Sequence, residues 1–506
     1  MCALKILPVE KIREADAYTI KYEPISSAML MERAATACFY RILKIAGKED
    51  AIKIVCGMGN NGGDGLVIAR LLHGAGYDAE VVVLRHTDKP TDDFSLNFRL
   101  LADLPGLVIT EVFEDGELPG FEDADIIIDA IFGSGLSRPV EGFMADVIDR
   151  INSSEAFVIA IDIPSGLFAD KAVDPQRHHI VKADYTMTFQ QPKLAFLMPE
   201  NELFCGRWKV IDIGLHPDFL ENCECHNLFI ETDDCRSLYR SRRKFAHKGN
   251  FGHALLIAGS TGKTGAAVMA AEGCLRAGAG LLTVHLPQSG YHIMQTSVHE
   301  AMVSLDPGDD FFTTLPATDV YKAIGIGPGL GTDSQTTAAF KLLIQQTRVP
   351  LVIDADALNI LAENKTWLSF LPAGTILTPH PGEFERLAGP VENHFNRIEL
   401  LRAFAIRYRL YVVLKGAYTA TATPEGDVFF NPTGNPGMAT GGSGDVLTGI
   451  ILGLLASGYP PRDASLLGVW LHGKAGDLAA RKYGYEAMLP GDMLKLLGKA
   501  FRKISS

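Results

Sequence analysis

The sequence predicts an α/β protein of two domains, each a mostly parallel sheet covered by helices. Three observations carry that expectation. Short apolar runs alternate with helix-like stretches in both halves, the rhythm of successive βα units. Loops bearing acids and glycines follow these runs, where open α/β sheets gather ligands. The chain has 506 residues, more than one core usually serves, since domains run about 100–200 residues.

In the first half the expected strands are Ile52–Cys56, Glu80–Leu84, Ile126–Asp129, Val158–Ile161, Tyr185–Phe189 and Trp208–Ile213. In the second they include Ala254–Ala258, Leu282–Val284, Ala323–Ile326, Leu351–Ile353, Thr375–Leu377 and Tyr411–Leu414. Between Leu215 and Ser241 the segment HPDFLENCECHN is polar and aperiodic, and a basic patch, Arg240 to Lys244, follows it. That composition shift marks a seam, and domains of 1–225 and 226–506 are expected. The two halves share a rhythm but not their loops, which argues against an internal duplication.

Net charge is −13, from 60 acidic and 47 basic residues. That sign disfavours duplex nucleic acid and anionic membranes as partners, while leaving room for a local basic pocket. The opening MCALKILPVEKIREAD lacks the long apolar core of a signal peptide. Val446–Tyr459, the most apolar later run, is shorter than the roughly 20 residues of a spanning helix. Eight scattered cysteines make no disulfide framework. Cys223, Cys225 and His226 are the one tight cluster; without a second Cys/His pair, incidental thiols are favoured over a zinc half-site. A cytoplasmic enzyme is expected.

In the first half, Ile52–Cys56 runs into Gly57-Met58-Gly59-Asn60-Asn61-Gly62-Gly63-Asp64-Gly65, and Leu66–Leu72 looks helical. Strand, glycine turn and helix present backbone N–H groups to phosphate. The G-x-G-x-x-G match is weak, because a dinucleotide fingerprint wants an acid ending the second strand, and here Glu80 begins it. Two more loops carry acids at strand ends, Asp129 before Gly133-Ser134-Gly135 and Asp162 before Ser165-Gly166. Any one of these aspartates could cap a helix, but three such loops at successive strand ends converge on one cleft. Their Asn, Asp and Ser oxygens suit an alkali cation, and a further Asp suits acid–base work.

The motifs N-N-G-G-D-G, D-A-I-F-G-S-G and D-I-P-S-G, in this order and with Ala15-Asp16 and Met31–Ala35 of the opening stretch upstream, resemble the NAD(P)H-hydrate epimerase family over most of residues 1–215. The resemblance implies a Rossmann-like three-layer domain in which Asn60, Asn61, Gly62, Gly63 and Asp64 hold the hydrate. The loop Gly133, Ser134, Gly135, Leu136, Ser137, Arg138 and Pro139 would hold it too. It further implies that Asp162 binds the hydrate and transfers a proton, and that Asn61, Asp129 and Ser165 coordinate K⁺.

In the second half the strongest motif is Asn435 to Asp445, NPGMATGGSGD, followed by the apolar helix-like VLTGIIL. Glycines before a helix leave N–H groups free for a developing phosphate oxyanion, and Asp445 stands where a general base reaches an attacking hydroxyl. An N-cap aspartate is the plainer alternative. Gly259-Ser260-Thr261-Gly262-Lys263-Thr264 only mimics a phosphate-binding P-loop, since two residues separate its glycines where four are required. G-I-G-P-G-L-G from Gly325, T-P-H-P-G-E around His380, and Lys415-Gly416 follow three more strands. His380 alone would suit a packed core histidine; between two prolines at a strand end it suits a ligand contact.

These motifs, with H-K-G-N-F-G from His247 and D-A-D-A-L-N from Asp354, resemble the ADP/ATP-dependent NAD(P)H-hydrate dehydratases over residues 235–500. That resemblance implies a ribokinase-like domain, in which Ala266, Gly329 or Gly331, His380 and Asp445 contact the hydrate. Lys415, Gly416, Ala417, Tyr418, Thr419 and Gly444 would contact ADP or ATP, with Mg²⁺ accompanying the nucleotide; ADP is the expected donor. A homo-oligomer is expected. The alternative is a ribokinase-like vitamin-precursor kinase fused to a non-catalytic Rossmann-like binding module.

Overall fold

Along the strand Ile52–Cys56, Ile54 and Cys56 enter one buried core and Val55 another. This is the two-residue period of a strand covered on both faces. In the computed structural model, which describes residues 3–174 and 177–505, seven such strands form one sheet. Their spatial order is Val108–Phe113, Ala79–Arg85, Ile52–Cys56, Ile126–Ala130, Phe157–Ile161, Tyr185–Phe189, Arg207–Ile211. Every neighbouring pair is parallel. Helices Ser27–Ile42 and Asn60–Gly74 supply the core on one face, and Phe143–Asn152 supplies it on the other.

The second sheet has eleven strands. Toward one edge, His253–Ile257 lies between Leu281–Leu286 and Ala323–Ile326, all parallel, and parallel pairing continues through Leu351–Ile353 and Ile376–Leu377 to Tyr411–Leu414. From there a hairpin turns back, so Ala420–Ala422 and Val428–Phe430 run antiparallel. Asn227–Phe229 and Leu4–Lys5 extend that edge. One core packs Thr264–Arg276, Ser443–Ala456, Pro461–Tyr483 and Pro490–Arg502 against the sheet. The chain divides into two compact units, one of Lys5–Cys225 and one from His226 onward, which Leu4 joins.

Three of the strands that the apolar pattern does not announce are short or exposed. Val108–Phe113 and Met302–Leu305 lie at sheet edges with most side chains partly or fully open to solvent. Ala420–Ala422 holds three small or β-branched residues and no long apolar run. Val446–Ala456 is buried throughout, inside the helix Ser443–Ala456. Among the described residues no helix is long and apolar enough to cross a membrane.

Candidate active sites

The first sheet reverses its winding between Ile52–Cys56 and Ile126–Ala130, so the loops leaving these two strands open a crevice at their carboxyl ends. The helix begins at Asn60, not near Leu66. N-N-G-G-D-G is therefore its first two turns and not a loop ahead of it. Glycine permits this, because a Cβ on Gly62 would stand 1.8 Å from the Gly57 carbonyl oxygen.

Asp129 ends its strand fully buried. Its carboxylate accepts from the Ser165 hydroxyl at 2.6 Å and from the Ser165 backbone N–H at 2.8 Å. Burial pushes its pKa up to about 6 against the pull of those bonds, since no cation compensates it. The Asn61 amide is also buried, and neither its oxygen nor its nitrogen has a hydrogen-bond partner. An unpartnered amide oxygen, a buried carboxylate and a hydroxyl form a hard-oxygen set that fits an alkali cation.

Asp162 is held at φ 65°, a strained conformation of the kind found at functional sites. Its carboxylate accepts from the Ser134 N–H at 3.0 Å and lies 2.9 Å from Lys193 Nζ. Burial alone would raise its pKa, but Lys193 and the Ser134 donors outweigh that and hold it below the usual carboxylate value. Gly133 packs beside both Asn61 and Asp162, its added Cβ 3.4 Å from each. Arg13 donates to the Gly135 carbonyl at 3.2 Å and Lys171 to that of Ser137 at 3.0 Å. The structure thus gathers Asn61, Asp64, Gly133, Ser134 and Asp162. Asn60, Gly135, Ser137, Arg138 and Pro139 are exposed. Neither Asp129 nor Asp162 caps a helix. Lys193 escapes the sequence reading; a lysine just past the strand Tyr185–Phe189 was the available signal.

The second sheet reverses between His253–Ile257 and Ala323–Ile326. From the first strand comes the loop Gly259–Lys263, which leads into the helix Thr264–Arg276. From the second comes Gly327–Gly331. The two loops are tied: Ser260 donates to the Gly329 carbonyl at 2.8 Å, and a Cβ on Gly329 would stand 3.1 Å from the Ala266 Cβ.

Opposite them, Ser443–Ala456 starts after Gly442 at φ 97°. Asp445 is the third residue of this helix, so it is not the N-cap. Its N–H and that of Gly444 find no backbone acceptor among the described residues, the free donors of a helix start. Asp445 faces a cleft of about 470 Å³ lined also by Ala266, Met269, Gly441, Gly442 and Leu489. Burial and the nearby Asp354 raise its pKa to about 6. His472, kept neutral by burial with a pKa of about 4, braces the start of the helix at 2.9 Å from the Ser443 carbonyl.

Lys415 ends the strand Tyr411–Leu414 and lies 2.9 Å from Asp354 and 3.8 Å from Glu383. Burial opposes its charge, but the carboxylates prevail and keep it a firm cation. Asp354 is itself buried and also accepts from Thr448 at 2.7 Å. Two residues on, Asp356 accepts from the Gly331 N–H at 2.8 Å and pairs with Lys263 at 3.3 Å. Ala355 between them has φ 50°, and that turn sends the two carboxylates to different neighbours. Asp354, Asp356, Glu383 and Thr448 are the residues missed here, although two of the matched motifs contain the first three.

His380 is exposed, not in the core; it caps the helix Pro381–Ala388, accepting from the Gly382 N–H at 3.1 Å. Gly416, Ala417, Tyr418 and Thr419 form the hairpin turn after Lys415, where Thr419 donates to the Gly416 carbonyl at 3.1 Å. His226 lies 2.9 Å from Asp427. Among the described residues no group of three His, Cys, Asp or Glu side chains is placed to hold a metal. Polar clefts of about 350 and 400 Å³ beside Asn152 and Lys182 lie where Phe157–Ile161 begins, at the other end of the first sheet from its acid-bearing loops.

Two family models match, the YjeF-related protein N-terminus over residues 27–195 and the NAD(P)H-hydrate dehydratase over residues 254–499. The class is therefore a YjeF-related domain joined to an NAD(P)H-hydrate dehydratase domain. A bifunctional NAD(P)H-hydrate repair enzyme of Moorella thermoacetica is 38% identical over 503 residues, covering 95% of this chain and 93% of that one. The Escherichia coli enzyme of that description is 33% identical, over 92% of this chain and 88% of its own. The chain belongs to the family of bifunctional NAD(P)H-hydrate repair enzymes. Among solved structures, the Bacillus subtilis ADP/ATP-dependent NAD(P)H-hydrate dehydratase, co-crystallised with ATP and Mg²⁺, is 32% identical. It matches 55% of this chain and 98% of its own, with a TM-score of 0.48.

Proposed function

We propose that the protein restores hydrated NADH and NADPH, with the N-terminal unit interconverting the R and S hydrates and the C-terminal unit dehydrating the S form at the expense of ADP or ATP. The observation that carries this is Asp445, a carboxylate with pKa near 6 in a cleft beside two N–H groups without acceptors. A base in that range works near neutral pH, and the free donors suit the charge of a phosphoryl group in transfer.

Asp445 takes the proton of the C6 hydroxyl, whose oxygen attacks the terminal phosphorus as the bond from that phosphorus to the bridging oxygen breaks, so AMP leaves from ADP or ADP from ATP. Lys415, fixed by Asp354 and Glu383, holds the nucleotide with the turn Gly416–Thr419 and Gly444. Phosphate then leaves C6 as the lone pair of N1 forms C6=N1, and loss of a proton from C5 restores the reduced ring. Mg²⁺ accompanying the nucleotide would neutralise phosphate charge. Ala266, Gly329, Gly331 and His380 shape the hydrate side of the cleft.

In the N-terminal unit, Asn61, Asp129 and Ser165 would hold K⁺, which would supply a fixed positive charge in the crevice. Asn60–Asp64 and Gly133–Pro139 seat the dinucleotide, and Asp162 stands ready as a base. Relatives matching nearly the whole chain favour repair over a vitamin-precursor kinase joined to a passive module. The test is to give purified protein mixed hydrate epimers with ADP and ATP in separate tubes. Full recovery of reduced-nicotinamide absorbance with equimolar inorganic phosphate is expected. A stable phosphorylated product, or recovery of one epimer only, would count against it.

A further inference from the structure

Asp162 is an ion-paired carboxylate, 2.9 Å from the buried Lys193 ammonium; such a group stands ionised, so it is free to take a proton in the reaction but has none to give. Epimerisation at C6 needs both events: a hydroxyl leaves as water, and water returns to the other face. A second group must therefore hold a proton in the same crevice.

Asp16 meets the geometric requirements. It lies on the helix Val9–Tyr22, one turn after Arg13 and hence on the same side. Arg13 donates to the carbonyl of Gly135 in the loop that reaches Asp162 through Ser134. Ala15 and Thr19, its neighbours on the helix, are fully buried, while Asp16 is half-buried. Its carboxylate has no hydrogen bond or ion pair to the protein among the described residues, which leaves it open to a ligand in the crevice. The charges facing it are Asp162 and Lys193, with Asp64 beyond and Arg13 on its own helix. Lys193 and Arg13 do not balance the three carboxylates, so an unpaired one is inclined to keep a proton. Burial first, then Asp162, raises the Asp16 pKa to about 6. Two carboxylates pushed apart in this way form an acid–base pair.

We propose that Asp16 is the general acid of the epimerase site and Asp162 its base. This rests on the epimerase reading above. In one turnover Asp16 gives its proton to the C6 hydroxyl, the C6–O bond breaks, and the N1 lone pair forms C6=N1. Water then adds to the opposite face of C6, N1 regains its pair, and Asp162 takes the released proton. Asp16 ends ionised and Asp162 protonated, and exchange with solvent resets both.

The experiment gives the full-length protein one hydrate epimer without nucleotide and follows the other epimer over a range of pH. General acid–base groups contribute about 10²–10⁴-fold, so Asp16→Asn should lower kcat at least tenfold with KM little changed. The fall of kcat with rising pH, present in the parent, should vanish from the residual rate, and Asp16→Glu should recover part of kcat. A kcat within tenfold of the parent, or a loss seen in KM with an unaltered pH profile, would overturn the assignment of Asp16 alone. A parent that does not interconvert the epimers would overturn the epimerase reading beneath it.

Discussion

Asp445, half-buried in the first turn of a helix, and Asp162, buried just past a strand, are both enclosed carboxylates, yet their surroundings give them opposite proton affinities. Asp445 has only the shared attraction of Lys415, whose closest carboxylates are Asp354 and Glu383, so burial wins and its pKa rises to about 6. Asp162 has Lys193 to itself at 2.9 Å and stays ionised. A base must be ionised to act, so the dehydration rate should climb as pH rises through about 6 and then level off. Asp445→Asn should lower that rate by about 10²–10⁴-fold without slowing epimerisation, as read from nucleotide-dependent and nucleotide-free assays on the same preparation. Asp445 and Asp162 were both legible in sequence, because each stands in a short motif rich in glycine or serine. Lys193 was not, because it reaches the crevice from an element distant in sequence and has no motif around it; Asp16 stands in a matched stretch, but nothing in the sequence shows that its helix faces Asp162.

At the scale of elements, the C-terminal site depends on how closely Ser443–Ala456 approaches Thr264–Arg276. Glycines make the contact: a Cβ on Gly449 would stand 2.1 Å from the Ala270 carbonyl oxygen, and one on Gly453 2.3 Å from that of Cys274. Those two helices carry Asp445 and Ala266 to one cleft. Gly449→Ala should therefore push the helices apart, costing about 1–3 kcal/mol as overpacked cores do, measured from the denaturation midpoint of the C-terminal unit. Dehydration should weaken with it through a raised KM. Central strands were legible because burial on both faces makes them unbroken apolar runs. Edge strands such as Val108–Phe113 keep one side in water and read as polar. The helix start at Asn60 was hidden because glycines and asparagines in a first turn look like a loop until the close backbone approach at Gly57 is seen.

For the molecule as a whole, two units with separate cores should answer to separate ligands. An ion or nucleotide bound only by the folded form adds stability in proportion to its occupancy, about 2.7 kcal/mol at a hundredfold excess over Kd. Replacing a large organic cation by K⁺ should raise the unfolding temperature of the N-terminal unit only, and Asn61→Ala should erase that rise; calorimetry resolves the two transitions. Asp445 contributes to pH dependence with a definite sign. Its folded pKa lies above the unfolded value, so the folded form binds the proton more tightly, and stability is lost as pH rises from 3.8 towards about 6. Two α/β domains were legible from the repeated rhythm of apolar runs. The joining of Leu4 to the sheet of the second unit was not, since a strand of two residues carries no periodic signal.

The left-handed turn at Ala355 has a consequence for how evolution could remodel this enzyme. A residue with a Cβ held at φ 50° costs about 1–2 kcal/mol that glycine would not. Glycine there would be more comfortable, but it would let the arms bearing Asp354 and Asp356 swing, and with them the anchors of Lys415 and Gly331. Ala355→Gly should hence yield a sturdier protein and a slower dehydratase, a trade visible by setting its melting temperature beside its kcat. Tension at one alanine would be the means by which two charges keep their aim.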